Sequence, residues 1–524
     1  MVVSGHPVAS LIGRAVLRRG GNAIDAAVAV GFALQVLHPE AGNIGGGGFM
    51  VMRAPDGRLR ALDYRETAPS AATPDMYLDA SGNPTPASVT GHLSAGVPGS
   101  VAGMLEAHRT YGVLSLESLI APAIALADSG FVLDSVRARS LGRDARLEQF
   151  PASRAQYRRP DGTTFAVGER LVQRDLATTL RAISARGHAG FYEGPVADLL
   201  VAEMARGGGI ITKADLAAYR AIWREPIRIR YRDHEIYSMP PSSSGGVTLG
   251  EILNIMGGYP TLPAFGTSAL MHLEAEAMRR AFMDRNRYLG DPAFVSMPLA
   301  RLLSARHADS LRGSIGERAT PTPPFDPRID RGTSTTHYSI VDAAGNAVSC
   351  TTTLNNSYGS AVTVTGAGFL LNDEMDDFAT APGRPNLYGL VQGEANAIAP
   401  GKRMLSAMTP TIVFGPDGQL KMVVGTPGGA TIITQVYHVL SNVLDHGMPI
   451  GAAVAAPRTH HQALPDSLRV EGGVFSEVVL DELRARGHAL KVIGRGGDVE
   501  AILRVPGGWQ GASDPRYGGG GAGD

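Results

Sequence analysis

The middle of the sequence reads Thr335-Thr336-His337-Tyr338-Ser339-Ile340-Val341, then Asp342-Ala343-Ala344-Gly345-Asn346, then Ala347-Val348-Ser349-Cys350-Thr351-Thr352-Thr353. Residues 338–341 and 347–353 are typical of strands, and the segment between them is typical of a turn. The sequence therefore predicts a β-hairpin. Just before it lies Pro321-Thr322-Pro323-Pro324-Phe325-Asp326-Pro327, whose prolines indicate an exposed linker. Thr335 thus stands at the start of a hairpin that directly follows a linker.

This position suits one specific chemistry. A threonine hydroxyl is a weak nucleophile and needs a base that takes its proton. When threonine is the first residue of a chain, its own α-amine serves as that base. The site then requires a cut before the threonine and a rigid element that carries it. On these residues alone, however, a polar loop that leads into an edge strand is the simpler interpretation.

Composition favours a large, loop-rich α/β enzyme. The chain has 524 residues, a formal net charge of -1, 44% hydrophobic residues, 66 glycines and 34 prolines. A nearly neutral chain gives no support for nucleic acid or an anionic membrane as a partner. The single cysteine, Cys350, excludes intramolecular disulfides and multi-cysteine metal sites, and we expect it to be a buried strand residue. His460-His461 has no evident partner cluster, so the sequence predicts neither a metal nor a cofactor.

Periodicity predicts helices at 8–19, 23–37, 99–111, 115–129, 174–186 and 269–288, and strands at 49–52 and 59–63. The most apolar segment, 23–37, is too short to span a membrane and is expected to be a buried helix. The first residues, Met1 to Pro7, do not resemble a signal peptide. The glycine-rich tail, 517–524, is expected to be flexible.

Motifs along almost the whole chain, from His6 to Arg516, resemble the γ-glutamyltransferase family. They are Gly42-Asn43-Ile44-Gly45-Gly46-Gly47-Gly48-Phe49-Met50, Tyr64-Arg65-Glu66-Thr67-Ala68-Pro69, Pro240-Pro241-Ser242-Ser243-Ser244-Gly245-Gly246, Tyr288-Leu289-Gly290-Asp291-Pro292, Thr335-Thr336-His337-Tyr338-Ser339, Leu371-Asn372-Asp373-Glu374-Met375-Asp376-Asp377-Phe378, Asn386-Leu387-Tyr388-Gly389-Leu390, Lys402-Arg403-Met404-Leu405-Ser406, Gly425-Thr426-Pro427-Gly428-Gly429 and Gly511-Ala512-Ser513-Asp514-Pro515-Arg516. Because these motifs occur together and in order, the resemblance is highly specific.

The resemblance implies an N-terminal-nucleophile hydrolase fold, a four-layer αββα sandwich. It also implies a precursor that cuts itself between Ser334 and Thr335. The products would be a large subunit, 1–334, and a small subunit, 335–524, which together build one domain. Thr335 would then attack glutathione or another γ-glutamyl amide, and the γ-glutamyl group would pass to water or to an acceptor amino acid or peptide. Family members are commonly exported, which suggests a periplasmic or secreted protein, although no leader is visible.

The resemblance assigns roles in catalysis to four residues. Thr335 is the nucleophile and Thr353 positions its hydroxyl. Gly428 and Gly429 form the oxyanion hole, in which backbone N–H groups stabilise the charge that develops on the substrate oxygen. Taken alone, Thr353 fits a strand threonine and the glycines fit an ordinary turn.

Substrate binding is assigned to a second set. Arg65 grips the α-carboxylate of the substrate, as its planar fork allows. Asp377 pairs with the α-ammonium, with Asn355 and Glu374 as helpers. Tyr388 resembles a lid-loop tyrosine that separates the nucleophile from solvent. The alternative interpretations are a solvated surface arginine and a solvated pair of loop acids.

One position departs from the family pattern. The family usually has two serines near the α-carboxylate, where this chain has Ser406 and Ala407. A neutral hydrogen bond contributes about 0.5–1.5 kcal/mol and one to a charged group about 1.5–3 kcal/mol. We therefore expect a weaker grip on the α-carboxylate, which leaves the acyl donor open.

Three other functions remain open at this point. A related acylase acting on glutaryl side chains, as in cephalosporin-acylase relatives, would have no α-ammonium to bind, and Asp377 argues against it. Handling of poly-γ-glutamate is a further possibility. A non-catalytic, unprocessed homologue is disfavoured by Thr335, Thr353, Gly428 and Gly429.

Overall fold

The computed structural model describes residues 1–42, 44–321 and 335–524 of the chain. Asn43, the predicted linker from residue 322 onward, and the predicted cleavage residue Ser334 lie outside the described residues.

The strands are β1 (Val2–Ser4), β2 (Gly47–Arg53), β3 (Leu59–Tyr64), β4 (Phe131–Val132), β5 (Arg170–Leu171), β6 (Ile222–Arg224), β7 (Ile227–Tyr231), β8 (His234–Ser238), β9 (Thr335–Val341), β10 (Ala347–Thr353), β11 (Thr411–Phe414), β12 (Leu420–Gly425), β13 (Thr459–His460), β14 (Leu468–Glu471), β15 (Leu490–Ile493), β16 (Glu500–Val505), β17 (Gly508–Ser513) and β18 (Gly520–Ala522). The helices are α1 (Pro7–Arg18), α2 (Ala23–Leu37), α3 (Ser100–Tyr111), α4 (Leu116–Ser129), α5 (Ser135–Arg143), α6 (Pro151–Tyr157), α7 (Arg174–Arg186), α8 (Ala189–Tyr192), α9 (Gly194–Gly207), α10 (Lys213–Ala218), α11 (Gly245–Gly257), α12 (Ser268–Tyr288), α13 (Leu299–Leu302), α14 (Ala305–Gly313), α15 (Thr431–Leu444), α16 (Ile450–Ala455) and α17 (Glu477–Ala485).

Two antiparallel sheets form the centre of the protein. The first sheet has the order β18-β1-β9-β10-β2-β3-β6, and the second has the order β17-β16-β12-β11-β8-β7. Strands from both sides of residue 334 share each sheet: β9 and β10 lie between β1 and β2, and β11 pairs with β8. The two parts of the chain are therefore interleaved in a single fold.

The sheets pack face to face, and helices cover their outer faces. Alternate residues of each strand point into the space between the sheets, where an apolar core contains Val51, Val341, Ile412, Val423 and Ile502. Outside the first sheet a second core includes α2, α3, α4 and α7, and outside the second sheet a third includes α11, α12 and α15. This confirms the predicted αββα sandwich.

Helix α2 shows why this segment is buried rather than membrane-spanning. Asn22 and Asp25 form a reciprocal capping box at its start, and all 15 of its residues are buried. A helix that is apolar all round belongs in a protein core when it is this short. None of the helices in the described ranges is long and apolar enough to cross a membrane.

The predicted helices at 8–19, 23–37, 99–111, 115–129, 174–186 and 269–288 are confirmed to within one residue at each end. The predicted hairpin is confirmed as β9 and β10, although β9 begins at Thr335, three residues before the predicted strand. Cys350 is confirmed as a buried strand residue, with its Sγ 2.9 Å from the Tyr64 hydroxyl.

The prediction of a flexible tail is wrong. Gly520–Ala522 forms β18, which pairs with β1 at the edge of the first sheet. The Ser10 hydroxyl donates to the Gly520 carbonyl at 2.6 Å, and a Cβ at Gly520 would lie 3.2 Å from Pro7. Small residues therefore let this segment pack closely on the start of α1. Glycine allows close contact here and does not make the segment flexible.

Candidate active site

Thr335 is the first residue of β9 and faces the space between the sheets. It lies directly opposite Thr353 of β10, and the two hydroxyl oxygens are 3.1 Å apart. The Thr353 hydroxyl accepts a hydrogen bond from the backbone N–H of Asn355 at 2.9 Å, which fixes its position. On the other side of β10, a Cβ at Gly46 would lie 2.0 Å from the Thr353 carbonyl oxygen. Glycine at 46 is thus required for β2 to approach Thr353.

Gly428 and Gly429 lie just before α15, with φ angles of +140° and +54°. Their carbonyls accept from Thr431 and Ile432 in the first turn of the helix. Among the described residues, neither glycine N–H donates to another protein group. These donors lie at the positive end of a 14-residue helix, where a negative charge is stabilised. The arrangement fits the predicted oxyanion hole.

Tyr388 packs over the second of these glycines. A Cβ at Gly429 would lie 2.7 Å from the Tyr388 ring. The Tyr388 hydroxyl donates to the Asn355 carbonyl at 2.6 Å, and the Gln462 amide donates to the Tyr388 carbonyl at 3.1 Å. The loop that carries Tyr388 is thereby fixed to the segment that follows Thr353.

Arg65 follows β3 and is completely buried. Its guanidinium forms ion pairs with Glu374 and Asp377, and its Nε donates to the Met404 carbonyl at 3.2 Å. Burial opposes the charged form of Arg65, but the facing carboxylates outweigh it and raise its pKa. Burial raises the pKa of Glu374 and Asp377 despite the positive charge of Arg65. Arg65 and Asp377, which the sequence assigned to opposite ends of a substrate, therefore contact each other.

Most predicted site residues line one small cavity of about 20 Å³, which we call the smaller cavity. That volume holds little more than one water molecule. Its polar lining consists of Arg65, Arg285, Thr335, Thr353, Asn355, Glu374, Asp377, Tyr388, Ser406 and Gly429, and its apolar lining includes Leu390, Leu405, Ala407, Met408, Ala430 and Ile432. A substrate therefore needs side chains of this cavity to move.

Among the predicted site residues that the structure describes, Gly428 is the one that does not line the smaller cavity. It lies, together with Thr335, in the wall of a cleft of about 240 Å³, which we call the larger cleft. His38, Asp498 and Tyr517 also line this cleft. Thr335 thus lines both spaces.

The position of Ser406 and Ala407 is set by the buried serine loop before α11. Ser243 forms a bridge with Ser406, whose carbonyl accepts from the Ser244 N–H at 2.8 Å. The Ser406 hydroxyl accepts from the Met408 N–H at 3.0 Å. Ala407 contributes only a methyl group to the wall of the smaller cavity.

Sequence reasoning missed Arg285, which reaches the smaller cavity from α12. Its Nε donates to the Ser244 hydroxyl at 2.9 Å, and its Nη1 donates to the Asn286 side chain at 3.0 Å. Burial lowers the pKa of Arg285 to about 10. The only sequence signal was its place in an arginine-rich helix just before the Tyr288–Pro292 motif, which does not distinguish it from its neighbours.

His337, two residues after the candidate nucleophile, is not a base for it. Its ring nitrogens lie 2.8 Å from the Thr351 hydroxyl and 3.1 Å from the Ser339 hydroxyl, all between the sheets. Burial lowers the pKa of His337 to about 3, so the ring stays neutral. Its role is to join two strands.

Comparison with known proteins agrees with this geometry. A family model described as gamma-glutamyltranspeptidase matches residues 9–524. The chain is 51% identical over 482 residues to the glutathione hydrolase proenzyme of Pseudomonas sp. (strain A14), covering 91% of this chain and 84% of that protein. It is 44% identical over 526 residues to the glutathione hydrolase proenzyme of Escherichia coli (strain K12), covering 98% and 90% of the two chains.

Solved structures give the same fold. Cephalosporin acylase from Bacillus halodurans superposes with a TM-score of 0.87 at 29% identity and covers 99% of this chain and 94% of its own. A Helicobacter pylori γ-glutamyltranspeptidase chain gives a TM-score of 0.58 at 46% identity, covering 59% of this chain and 90% of its own. From the whole-chain family match and the two glutathione hydrolase relatives, we conclude that this chain belongs to the γ-glutamyltranspeptidase family.

Proposed function

We propose that this protein is a γ-glutamyl hydrolase and transferase that cuts itself before Thr335 and then uses Thr335 as an N-terminal nucleophile. The observation that carries the proposal is the position of the Thr335 hydroxyl, 3.1 Å from the Thr353 hydroxyl at the edge of the smaller cavity. The N–H groups of Gly428 and Gly429, which have no partner among the residues that the structure describes, support it, and so does the whole-chain family match.

Self-cleavage comes first. The Thr335 hydroxyl attacks the carbonyl carbon of Ser334, the peptide C–N bond breaks, and an ester joins Ser334 to the Thr335 oxygen. Water opens this ester and leaves a carboxylate on Ser334 and a free amine on Thr335. The products, 1–334 and 335–524, stay together because β9 remains paired with β1 and β10 with β2.

The freed amine then serves the main reaction. It accepts the Thr335 hydroxyl proton as the oxygen attacks the γ-carbonyl of a γ-glutamyl amide. The N–H groups of Gly428 and Gly429 stabilise the resulting oxyanion. The C–N bond of the substrate amide then breaks. Its amine takes the proton from the Thr335 amine and leaves, and a γ-glutamyl ester of Thr335 remains. Water, or the amine of an acceptor amino acid or peptide, attacks this ester and regenerates the Thr335 hydroxyl.

Substrate recognition requires an exchange of ion pairs in the smaller cavity. Arg65 and Asp377 are bound to each other in the structure. The α-carboxylate of a γ-glutamyl group is a new partner for Arg65, and its α-ammonium is a new partner for Asp377. Two charge-assisted contacts replace one, so the exchange compensates for the desolvation of both charges. Glutathione carries such a group and is the substrate we propose.

The acylase alternative has less support. A glutaryl group lacks the α-ammonium, so Asp377 would gain no new partner and would stay paired with Arg65. The likeness to cephalosporin acylase concerns the fold that both proteins share. Ala407, which lines the smaller cavity, lacks the hydroxyl that the family usually has there, but it does not distinguish the two donors, because both carry the carboxylate.

Release of p-nitroaniline from γ-glutamyl-p-nitroanilide and glutaryl-p-nitroanilide tests the proposal, with Thr335→Ala as the control. The two donors differ only in the α-ammonium group. We expect strong preference for the γ-glutamyl donor and no turnover by the control. Equal or reversed preference would mean acylase chemistry, and no turnover by the wild type would mean a non-catalytic homologue.

A further inference from the structure

The charges of the smaller cavity pose a problem for a substrate carboxylate. Arg65, the residue expected to bind it, already forms ion pairs with three buried carboxylates, those of Glu374, Asp377 and Glu66. The α-ammonium of the substrate can take over Asp377, but the substrate carboxylate still enters a buried space in which Arg65 also serves Glu374 and Glu66. A buried charge is costly unless it is well paired, so a second cation close to this cavity would stabilise the substrate carboxylate beyond what Arg65 alone supplies.

Arg285 is a buried cation with spare capacity. It is 1% exposed, and its Nη2 has no hydrogen-bond partner within the described parts of the chain. The other end of the guanidinium is held by Ser244 and Asn286, and the Gln392 side chain accepts from Nη1 at 3.4 Å. The head group is therefore fixed in place, with its unpartnered nitrogen buried in a residue that lines the smaller cavity.

We propose that Arg285 is a second α-carboxylate-binding residue and that it takes the place of the hydroxyl missing at Ala407. Both residues lie in the wall of the smaller cavity, next to Ser406. An arginine N–H donates a charge-assisted hydrogen bond, which is stronger than the neutral bond of a serine hydroxyl. This inference rests on the proposed function, since it concerns the binding of a γ-glutamyl group.

Two donors separate this role from a structural one. The γ-glutamyl and 4-aminobutyryl groups both carry the ammonium, but only the first carries the carboxylate. We expect Arg285→Met to lower kcat/KM for γ-glutamyl-p-nitroanilide about thirtyfold, mainly through KM, and to change the 4-aminobutyryl value less than about threefold. Arg285→Lys should restore part of the loss. Asp377→Asn is the matched control and should lower kcat/KM for both donors, because both carry the ammonium.

Inhibition by free L-glutamate and by free 4-aminobutyrate repeats the comparison, because only L-glutamate carries the α-carboxylate. This measurement does not require turnover of the 4-aminobutyryl donor. Cleavage into two fragments checks that each variant folds. If Arg285→Met does not fold, Arg285→Lys is used for the same comparison of the two donors. An equal loss with both donors and both ligands would overturn the role of Arg285. Inactivity of the wild type toward γ-glutamyl-p-nitroanilide would instead overturn the proposed function itself.

A second inference comes from an independent cluster on α11, α12 and α14. One potential ligand atom each of Glu251, Asp284 and His307 lies within 4.8 Å of the others. His307 Nε2 is 2.6 Å from Asp284 Oδ2. Glu251 is 2% exposed, and its Oε2 has no hydrogen-bond partner in the residues that the structure describes. A buried carboxylate oxygen with no donor needs either a proton or a cation.

We infer that these three side chains hold one divalent transition-metal ion such as Zn²⁺, contrary to the sequence expectation of no metal. Imidazole nitrogen and carboxylate oxygen are both zinc donors, and with three protein ligands water fills the remaining position. Asp284 and His307 are partly exposed, which leaves a route for the ion. The charge of Arg301 acts on Glu251 and is the feature that weighs against a cation.

Zinc analysis after saturation with ZnCl₂ and gel filtration tests this site. We expect about one Zn²⁺ per wild-type chain, and about tenfold less in Glu251→Gln and in His307→Ala. His446→Ala, outside the cluster, is the control and should keep the ion. Wild-type protein without zinc, or variants that keep it, would overturn the site and leave Glu251 beside a hydrogen-bonded His307 and Asp284.

Discussion

The hydroxyl oxygens of Thr335 and Thr353 lie 3.1 Å apart at directly opposite positions of two paired strands. The pairing fixes both backbones, and the Asn355 N–H fixes the Thr353 side chain. The Thr335 oxygen is therefore held at one point before any substrate arrives. Such preorganisation is what a weak nucleophile requires, because a small displacement from the attack position is costly.

Replacing Thr353 by valine tests this contact. Valine keeps the shape and the β-propensity but cannot form the hydrogen bond to Thr335. Loss of one neutral hydrogen bond predicts a decrease of about tenfold in kcat for γ-glutamyl-p-nitroanilide. Thr353→Ser keeps the hydroxyl and is expected to retain most of the activity. Equal activity of the valine and serine variants would contradict the positioning role.

A side chain at Gly428 or Gly429 should abolish most activity. In Gly428→Ala the new Cβ would lie 2.5 Å from the Thr431 hydroxyl, and in Gly429→Ala it would lie 2.7 Å from the Tyr388 ring. Displacing one oxyanion donor predicts a decrease in kcat of about a hundredfold or more. Gly418→Ala is the matched control, since Gly418 also has a positive φ, +72°, but open space around it. A similar loss in the control would point to backbone strain instead.

Restoring a hydroxyl at position 407 should strengthen the binding of carboxylate donors. Ala407→Ser places a new donor in the wall of the smaller cavity, next to Ser406. One added hydrogen bond to a charged group predicts a KM for γ-glutamyl-p-nitroanilide about tenfold lower. The 4-aminobutyryl donor serves as the control, because it lacks the carboxylate. An unchanged ratio between the two donors would show that position 407 does not contact this group.

The sequence was most informative where the evidence is local. The hairpin that begins at Thr335 follows from strand and turn residues within 19 positions, and it is confirmed. The paired tail was missed, because the partner of Gly520 is Ser4, at the other end of the chain. The Arg65–Glu374 ion pair joins residues 309 positions apart, and nothing in either segment indicates it. Arg285 was missed for the same reason, since its burial depends on loops that are distant in sequence.

Stability should depend on pH through Asp498, which lies in the larger cleft near Glu40, Glu500 and Asp514. Burial raises the pKa of Asp498 to about 7, against the opposing charge of Arg137. The folded protein thus keeps this proton up to about pH 7, whereas the unfolded chain loses it near pH 4. Between these values the folded state binds more protons, so its stability falls as pH rises, by at most about 4 kcal/mol.

Asp498→Asn removes this titration. The melting temperature of the variant minus that of the wild type is therefore expected to be more positive at pH 8 than at pH 5. Differential scanning calorimetry of the two cleaved proteins at both pH values measures it. An equal difference at both would mean that Asp498 has an ordinary pKa in the folded protein.

The mass of the purified protein, with N-terminal sequencing of its fragments, tests the central claim most directly. Self-cleavage before Thr335 divides the 54.8 kDa chain in the ratio 334 to 190, which gives fragments of about 35 and 20 kDa. The smaller fragment should begin at Thr335, and Thr335→Ala should remain a single chain of 54.8 kDa. A wild-type protein that also remains whole, or one cut at another bond, would contradict Thr335 as the N-terminal nucleophile.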